Sequence, residues 1–488
     1  MTNSTQTTST IQPLNWADKA LSFLLIRTAS LIFNSYLRLW RFLKYQLLGF
    51  KDWRIIYGVT VTGRQIFQYP KARRQHSYIK GLTGFGKSAL AAIEAVQIIK
   101  QGGGGIFLDP HGYPYAREDE KGAVVMIWER AESVDNTVFL SVNQKKKVAG
   151  DNPLILFGSF KILDELKDYL LNAIFYDAKV SLNSGFQVPN TAGFILESAI
   201  YFHNAYLVWL IKVKKKTAKQ ARLIVLNRQL TFNDLAHLED NPKLIDLFIE
   251  VLSFRSSKYH RPDLVAKWQA IKEDSKSETG FKGVIGRFKK IVSTGKSKLF
   301  FESCGFDLFK ERKRGKFVLC DLSGLDEFTL AIICKLLLVR IFIYQVRGIF
   351  HGQTDLFIDE ASNIEVSNLP YIITQGRKKK LALTLIFHFI NQFKSPDIIH
   401  SIQKGIVTKI NFRNNEGDLN LSLDKVSQLK KREFVFSDTW EKETKVKTAE
   451  LPPVQRQVQF EERGIAEKEL RRRMQAKRLD IAGYFQNV

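Results

Sequence analysis

The sequence predicts an α/β chain, a core built on a parallel sheet and interrupted by an all-α insertion. Three observations carry this expectation. A strand at Ser77–Lys80, a glycine-rich loop, a helix at Ala89–Lys100 and a short buried strand at Ile106–Leu108 follow one another directly, and such an order is the first βαβ unit of a parallel sheet. Far along the chain an apolar strand, Leu356–Ile358, ends in two acids, Asp359 and Glu360. Between these halves, over about residues 155–300, apolar side chains recur at helical spacing.

The loop reads SYIKGLTGFGKSAL, and Gly81, Gly86, Lys87 and Ser88 fit G-x-x-x-x-G-K-[ST] without a mismatch. Its glycines let backbone N–H groups from Gly81, Leu82, Thr83, Gly84, Phe85, Gly86, Lys87, Ser88 and Ala89 wrap a phosphate chain. The helix that follows adds positive potential at its N-terminus. Lys87 is expected to reach the β- and γ-phosphates of ATP, and Ser88 to ligate Mg²⁺. After the strand at Ile106–Leu108, the residues Asp109, Pro110, His111 and Gly112 cap the strand end where ligands bind in such sheets. They are expected to shape the nucleotide or DNA side of the site.

The second acidic motif, TDLFIDEAS, has the Walker B arrangement. Asp359 is expected to hold Mg²⁺ together with Ser88. Glu360 is expected to orient or deprotonate the attacking water. A third strand, Leu381–Phe389, ends near Asn391 and Gln392. Gln392 is a candidate γ-phosphate sensor, the alternative being a plain loop amide. Arg377 in GRKKK and Arg413 in KINFRN are candidate arginine fingers acting across a subunit boundary, although basic loops also serve simply as solvated surface. Phe317–Asp321 reads as another buried strand and Leu330–Val346 as a long apolar helix, with Cys320 and Cys334 as buried thiols. In the insertion, Thr231 or Asn233 is the expected cap of a helix start at 231–240.

The chain has 488 residues, with 74 Lys and Arg against 49 Asp and Glu, a net charge of +25. That excess points to a polyanionic partner, nucleic acid or an anionic membrane surface. Three cysteines without a CxxC pair argue against a structural zinc or a disulfide framework and suit a reducing compartment. Residues 1–18 are polar and read as disordered. Residues 19–50 read as a basic amphipathic helix in contact with a membrane or a partner, and a true membrane span is the less favoured alternative. From Lys19 to Lys80 there are twelve Lys and Arg and one acid, Asp52. The remaining boundaries are 51–154 for the first part of the core, 155–310 for the insertion, 311–440 for the second part and 441–488 for a charged tail. Lysines at 212, 214, 215, 216 and 219 form a conspicuous basic run within the insertion.

The set GLTGFGKS, FLDPHG, DNPL, FVLCDLSGLDE, LFIDEAS, GRKKK and INQF, in this order, resembles the HerA/FtsK superfamily of P-loop motors. Within it the likeness is to the TraG/TraD-like coupling proteins of type IV secretion, over roughly residues 55–440. The resemblance implies a RecA-like core, a homo-hexameric ring that hydrolyses ATP with Mg²⁺ and moves DNA without sequence preference, relaxase or secretion-channel partners, and a place at the cytoplasmic face of the inner membrane. It also implies roles for Lys87 and Ser88 as Walker A residues, Asp359 and Glu360 as Walker B, Gln392 as sensor and Arg377 or Arg413 as finger. Such coupling proteins carry two clear N-terminal membrane helices, whereas residues 20–50 here form one apolar stretch broken by Arg27, Arg38 and Arg41. Alternative readings are a HerA-type or viral genome-packaging DNA motor, and a secretion-system assembly ATPase acting on protein.

Overall fold

Strand residues that are apolar on both sides must be covered on both sides, and that sets the layers of this protein. The computed structural model describes residues 54–111, 122–132, 135–142, 149–150, 152–154, 160–175, 190–227, 230–273, 280–301, 306–364, 369–415, 423–439 and 441–455. The expected helix at 19–50 and the tail from 456 onward lie outside the described residues, as do Gly112 and Cys304.

Eleven strands form one sheet, in the order β2-β1-β13-β12-β11-β3-β10-β9-β4-β8-β5. In chain order they are β1 (Ile55–Thr60), β2 (Gln65–Gln68), β3 (Ser77–Lys80), β4 (Gly104–Asp109), β5 (Thr137–Ser141), β8 (Phe317–Asp321), β9 (Thr354–Ile358), β10 (Leu381–Phe387), β11 (Thr408–Phe412), β12 (Glu433–Ser437) and β13 (Thr444–Thr448). The strands from β11 to β5 pair in parallel. The other four extend the sheet antiparallel on one side. The expected parallel sheet is therefore mixed, and its edge beyond β11 is built from hairpins.

This extension corrects one boundary. The core does not stop at 440, because Glu433–Ser437 and Thr444–Thr448 form a hairpin inside the sheet and β13 pairs with β1 at the other end of the core sequence. EFVFS buries Phe434, Val435 and Phe436 in succession, as a strand covered on both faces does, whereas TKVKT alternates exposed lysines with the buried Val446 and Thr448. Of the two, only Thr444–Thr448 lies beyond the expected boundary at 440, and its Lys445 and Lys447 give it the charge expected of a tail.

Alternation along the parallel strands divides the core. Phe107, Phe139, Leu319, Phe357 and Ile386 face the helices Lys87–Lys100 and Ala123–Arg130. Their neighbours Ile106, Leu108, Val318, Ile358 and Leu385 face the opposite side, where the helix Glu327–Val346 lies. The Phe107 and Phe357 rings stack at 5.2 Å. Gly105, two residues before Phe107, lets β9 and the Phe317 ring approach the backbone of β4. A Cβ there would sit 2.4 Å from the Asp355 carbonyl oxygen and 2.6 Å from the Phe317 ring.

The described residues between 160 and 301 are helical where they are regular, and their apolar side chains run without a break into the core on the second face of the sheet. Where the chain leaves the sheet and returns to it, β6 (Ala149–Gly150) pairs with β7 (Phe306–Asp307). Thr231 closes a capping box with Asp234, so of the two expected caps it is Thr231 that acts. The helices Asn190–Lys212 and Glu327–Val346 are long and apolar enough to cross a membrane by length and composition, but 78% of each apolar window is buried inside the protein. Cys320 and Cys334 are buried, as expected.

Under the P-loop helix lies a buried polar cluster. The Tyr57 hydroxyl is 3.0 Å from Gln68 Oε1 and 3.4 Å from Glu94 Oε1, and Glu94 Oε2 has no partner among the described residues. Burial pushes the Glu94 carboxyl up to about 7. A carboxyl raised in this way favours the folded state at low pH, and that contribution fades as pH climbs from the ordinary value of 4.5 through about 7. The shift corresponds to a contribution on the order of 3 kcal/mol. Glu94→Gln is therefore expected to flatten the fall in stability between pH 5 and pH 8, read as chemical-denaturation midpoints across that range. An unchanged slope would contradict the assignment.

Candidate active site

The parallel strands end along one edge, and their register decides what meets there. Phe387 stands opposite Lys80, Asn411 opposite Lys80 on its other side, and Leu108 opposite Ile358. The segments following β3, β10, β11, β4 and β9 therefore converge. These carry the P-loop, His388, Arg413, Asp109 with His111, and Asp359 with Glu360.

The P-loop turns through positive φ at Gly84 (82°) and Gly86 (111°), conformations that a side chain would disfavour. Gly81 fits tightly, since a Cβ there would lie 2.6 Å from Phe412 Cβ. The loop is tied down from below by backbone bonds: the Gly81 amide donates to the Phe387 carbonyl, the Leu82 amide to Arg413, and the Arg432 amide to Phe85. Arg432 itself adopts φ 65° and is held by the Thr448 amide and hydroxyl, which both donate to its carbonyl. The C-terminal hairpin thus braces the loop, a part of the site that sequence reading missed. Within the described chain the amides of Thr83, Gly84, Phe85 and Gly86 have no hydrogen-bond partner. Such free donors beside a helix N-terminus suit an anion.

Lys87 is 7% exposed, and its ammonium lies 2.7 Å from the Gly81 carbonyl, 3.1 Å from that of Leu82 and 3.0 Å from His388 Nδ1. Burial lowers it to about 8, against the pull of Asp359 and Glu360. The Ser88 hydroxyl lies 3.3 Å from Asp359 Oδ2. The two expected metal ligands are therefore neighbours, and a hydroxyl beside a carboxylate is an oxygen donor set that fits Mg²⁺. Asp359 is buried, and burial with the adjacent Glu360 holds its carboxyl above the ordinary range. Asp109 is raised to about 7 by burial and then by Asp359, and it accepts the amides of His111 and Val124.

Glu360 takes φ 50°, a backbone conformation uncommon for a side chain of its size. Its Oε1 lies 3.0 Å from His388 Nε2 and 3.3 Å from His111 Nε2. Burial works to raise this carboxyl, but the two imidazoles more than offset it and hold it below the carboxylate range. His388 is the residue that the sequence reading passed over. Its position one residue beyond β10 carried meaning only once β10 was known to lie beside β3.

The remaining candidates sort by position. Gln392, the expected sensor, sits in the turn directly after β10. Its Oε1 accepts the amides of His388 and Phe389 and closes the turn that ends β10. Arg413 lies beside the P-loop of its own chain, with its guanidinium 5.5 Å from the centre of the Phe85 ring. Arg377 precedes β10 and so lies at the opposite end of that strand from the P-loop. Within one chain it does not reach the site.

A direct test separates the two arginines. At concentrations where the protein is monomeric, Arg413→Ala is expected to weaken binding of a fluorescent ATP analogue about 3-fold, by loss of the contact with Phe85. Arg377→Ala is expected to leave that affinity unchanged. Equal effects would contradict these placements.

No protein-family model matches the sequence, and no curated protein matches it. Solved structures do share its fold. VirB4 of Thermoanaerobacter pseudethanolicus superposes with a TM-score of 0.51 at 15% identity, covering 82% of this chain and 96% of that one. The bacterial conjugative coupling protein TrwB, in its unbound monoclinic form, superposes with a TM-score of 0.52 at 12% identity, covering 83% of this chain and 92% of that one. The plasmid coupling protein TrwB in complex with the non-hydrolysable ATP analogue ADPNP gives 0.51 at 13% identity, over 82% and 90%. The chain therefore has the RecA-like P-loop fold that VirB4 and TrwB share, with an all-α insertion in its core.

Proposed function

We propose that this protein is a Mg²⁺-dependent ATPase that drives DNA through a homo-hexameric ring, a motor of the conjugative coupling type. The observation that carries this reading is the meeting of Ser88 with Asp359, beside Lys87 and Glu360, on a fold shared with the coupling protein TrwB. One of the solved TrwB structures holds ADPNP, which supports ATP as the ligand of the P-loop.

In this reading the free amides of the P-loop and Lys87 bind the β- and γ-phosphates. Ser88 and Asp359 hold Mg²⁺, which neutralises charge on the phosphates when bound. Glu360, kept ionised by His111 and His388, accepts the proton of the attacking water. Arg377, exposed and remote from its own site, serves as the finger to a neighbouring subunit, and Arg413 supports the P-loop in cis. The net charge of +25 suits a phosphate backbone bound without sequence preference. The exposed lysines 212, 215 and 219 and the exposed run Arg377–Lys380 present such charge on the described surface. Residues 19–50 would face anionic lipid at the cytoplasmic side of the inner membrane, and a relaxase or channel protein would be the partner in transfer.

The test is the ATPase rate with and without DNA at low and moderate salt. Stimulation by DNA that weakens with salt and disappears in Lys87→Ala and Glu360→Gln is the expected result. Hydrolysis indifferent to DNA would overturn the DNA-motor reading and favour an ATPase that acts on protein.

A further inference from the structure

His388 stands between the phosphate-binding lysine and the general base, and the proton inventory of its neighbours allows one arrangement. The Lys87 ammonium has three protons to donate and no lone pair, and the Glu360 carboxylate only accepts. Two of the lysine's protons are matched by the carbonyls of Gly81 and Leu82, at 2.7 and 3.1 Å. The third faces His388 Nδ1 at 3.0 Å. On the other side of the ring, Nε2 faces Glu360 Oε1 at 3.0 Å.

A proton on Nδ1 would serve the Gly81 carbonyl at 3.1 Å, but it would set N–H against the ammonium. A neutral ring protonated there would also point the Nε2 lone pair at the carboxylate. With the proton on Nε2, Nδ1 accepts from Lys87 and Nε2 donates to Glu360, and both contacts are satisfied.

The ring is held for this task. Gln392 Oε1 accepts the backbone amides of both His388 and Phe389, at 3.1 Å each. Phe393 packs edge-on against Phe387 at 5.3 Å, pinning the far side of the turn. His111 reaches the same Glu360 oxygen from a more exposed position, with its side chain 66% accessible. It therefore constrains the carboxylate less than the half-buried His388 does.

We propose that His388 is the positioning residue that fixes the Glu360 carboxylate relative to Lys87, tying the alignment of the general base to the placement of the phosphate-binding lysine. The inference rests on the ATPase reading above. Holding a base within hydrogen-bond geometry of its target is worth orders of magnitude in turnover and little in ground-state affinity.

The discriminating substitution is His388→Gln. A side-chain amide also joins one acceptor to one donor, so its oxygen can accept from Lys87 while its nitrogen donates to Glu360. Alanine and phenylalanine can do neither. The experiment measures kcat and KM for Mg²⁺-ATP, affinity for a fluorescent ATP analogue, and melting temperature, for the wild type and for His388→Gln, His388→Ala and His388→Phe. His388→Ala and His388→Phe are expected to lower kcat about 100-fold with KM and analogue affinity within about 3-fold. His388→Gln is expected to recover kcat to within about 10-fold of wild type.

Wild-type kcat in His388→Ala would overturn the inference while leaving the ATPase reading intact. So would equal losses in all three variants accompanied by equal falls in melting temperature. A wild-type protein that does not hydrolyse ATP would overturn both.

Discussion

The approach of the Ser88 hydroxyl to the Asp359 carboxylate, across 271 residues of chain, is the contact that the rest of the structure serves. Neither residue's own element could arrange it. Ser88 is set by the first turn of a helix whose direction follows from β3, and Asp359 by the end of β9. The two meet because β10 lies between β3 and β9 with all three strands parallel and in register. Parallel strands need crossovers that return the chain to the same end of the sheet, so the helices between them are a geometric necessity as well as a cover for the core.

The same register lines up acids on neighbouring strands. Asp321 stands opposite Asp109, and Asp359 follows the residue opposite Leu108. Three carboxylates in a row would repel one another in a buried edge, and the protein gives each a different set of donors. Asp321 takes the Ser141 hydroxyl and the Ser323 amide, and Asp109 takes the amides of His111 and Val124. Asp359 receives the Glu360 amide and the more distant Ser88 hydroxyl, which leaves it the most available of the three for a cation.

What was legible in the sequence was whatever is local. Gly81, Gly86, Lys87 and Ser88 are four residues in one loop, and Asp359–Glu360 close one strand, so their spacing alone pointed to phosphate and metal chemistry. The strand Phe317–Asp321 and the helix over Leu330–Val346 were legible for the same reason, as locally apolar segments. The placements of His388, Gln392 and Arg377 were illegible because each depends on which strand end lies beside which. A glutamine and a histidine four residues apart look equally able to reach a phosphate until β10 is placed against β3. Arg432 was hidden for another reason: it contributes a carbonyl and an amide, and backbone groups leave no residue-type signature.

The insertion and the sheet share one uninterrupted apolar core. A domain carried on a flexible stalk can swing independently, and force applied to it is lost in the stalk. Here a load on the helices is carried directly by the sheet face, and through β9 and β10 it reaches the strand ends that hold Asp359 and His388. In mechanical terms the insertion is a stiff arm welded to the sheet, so a force applied at its far end would be felt as strain at Asp359 and His388.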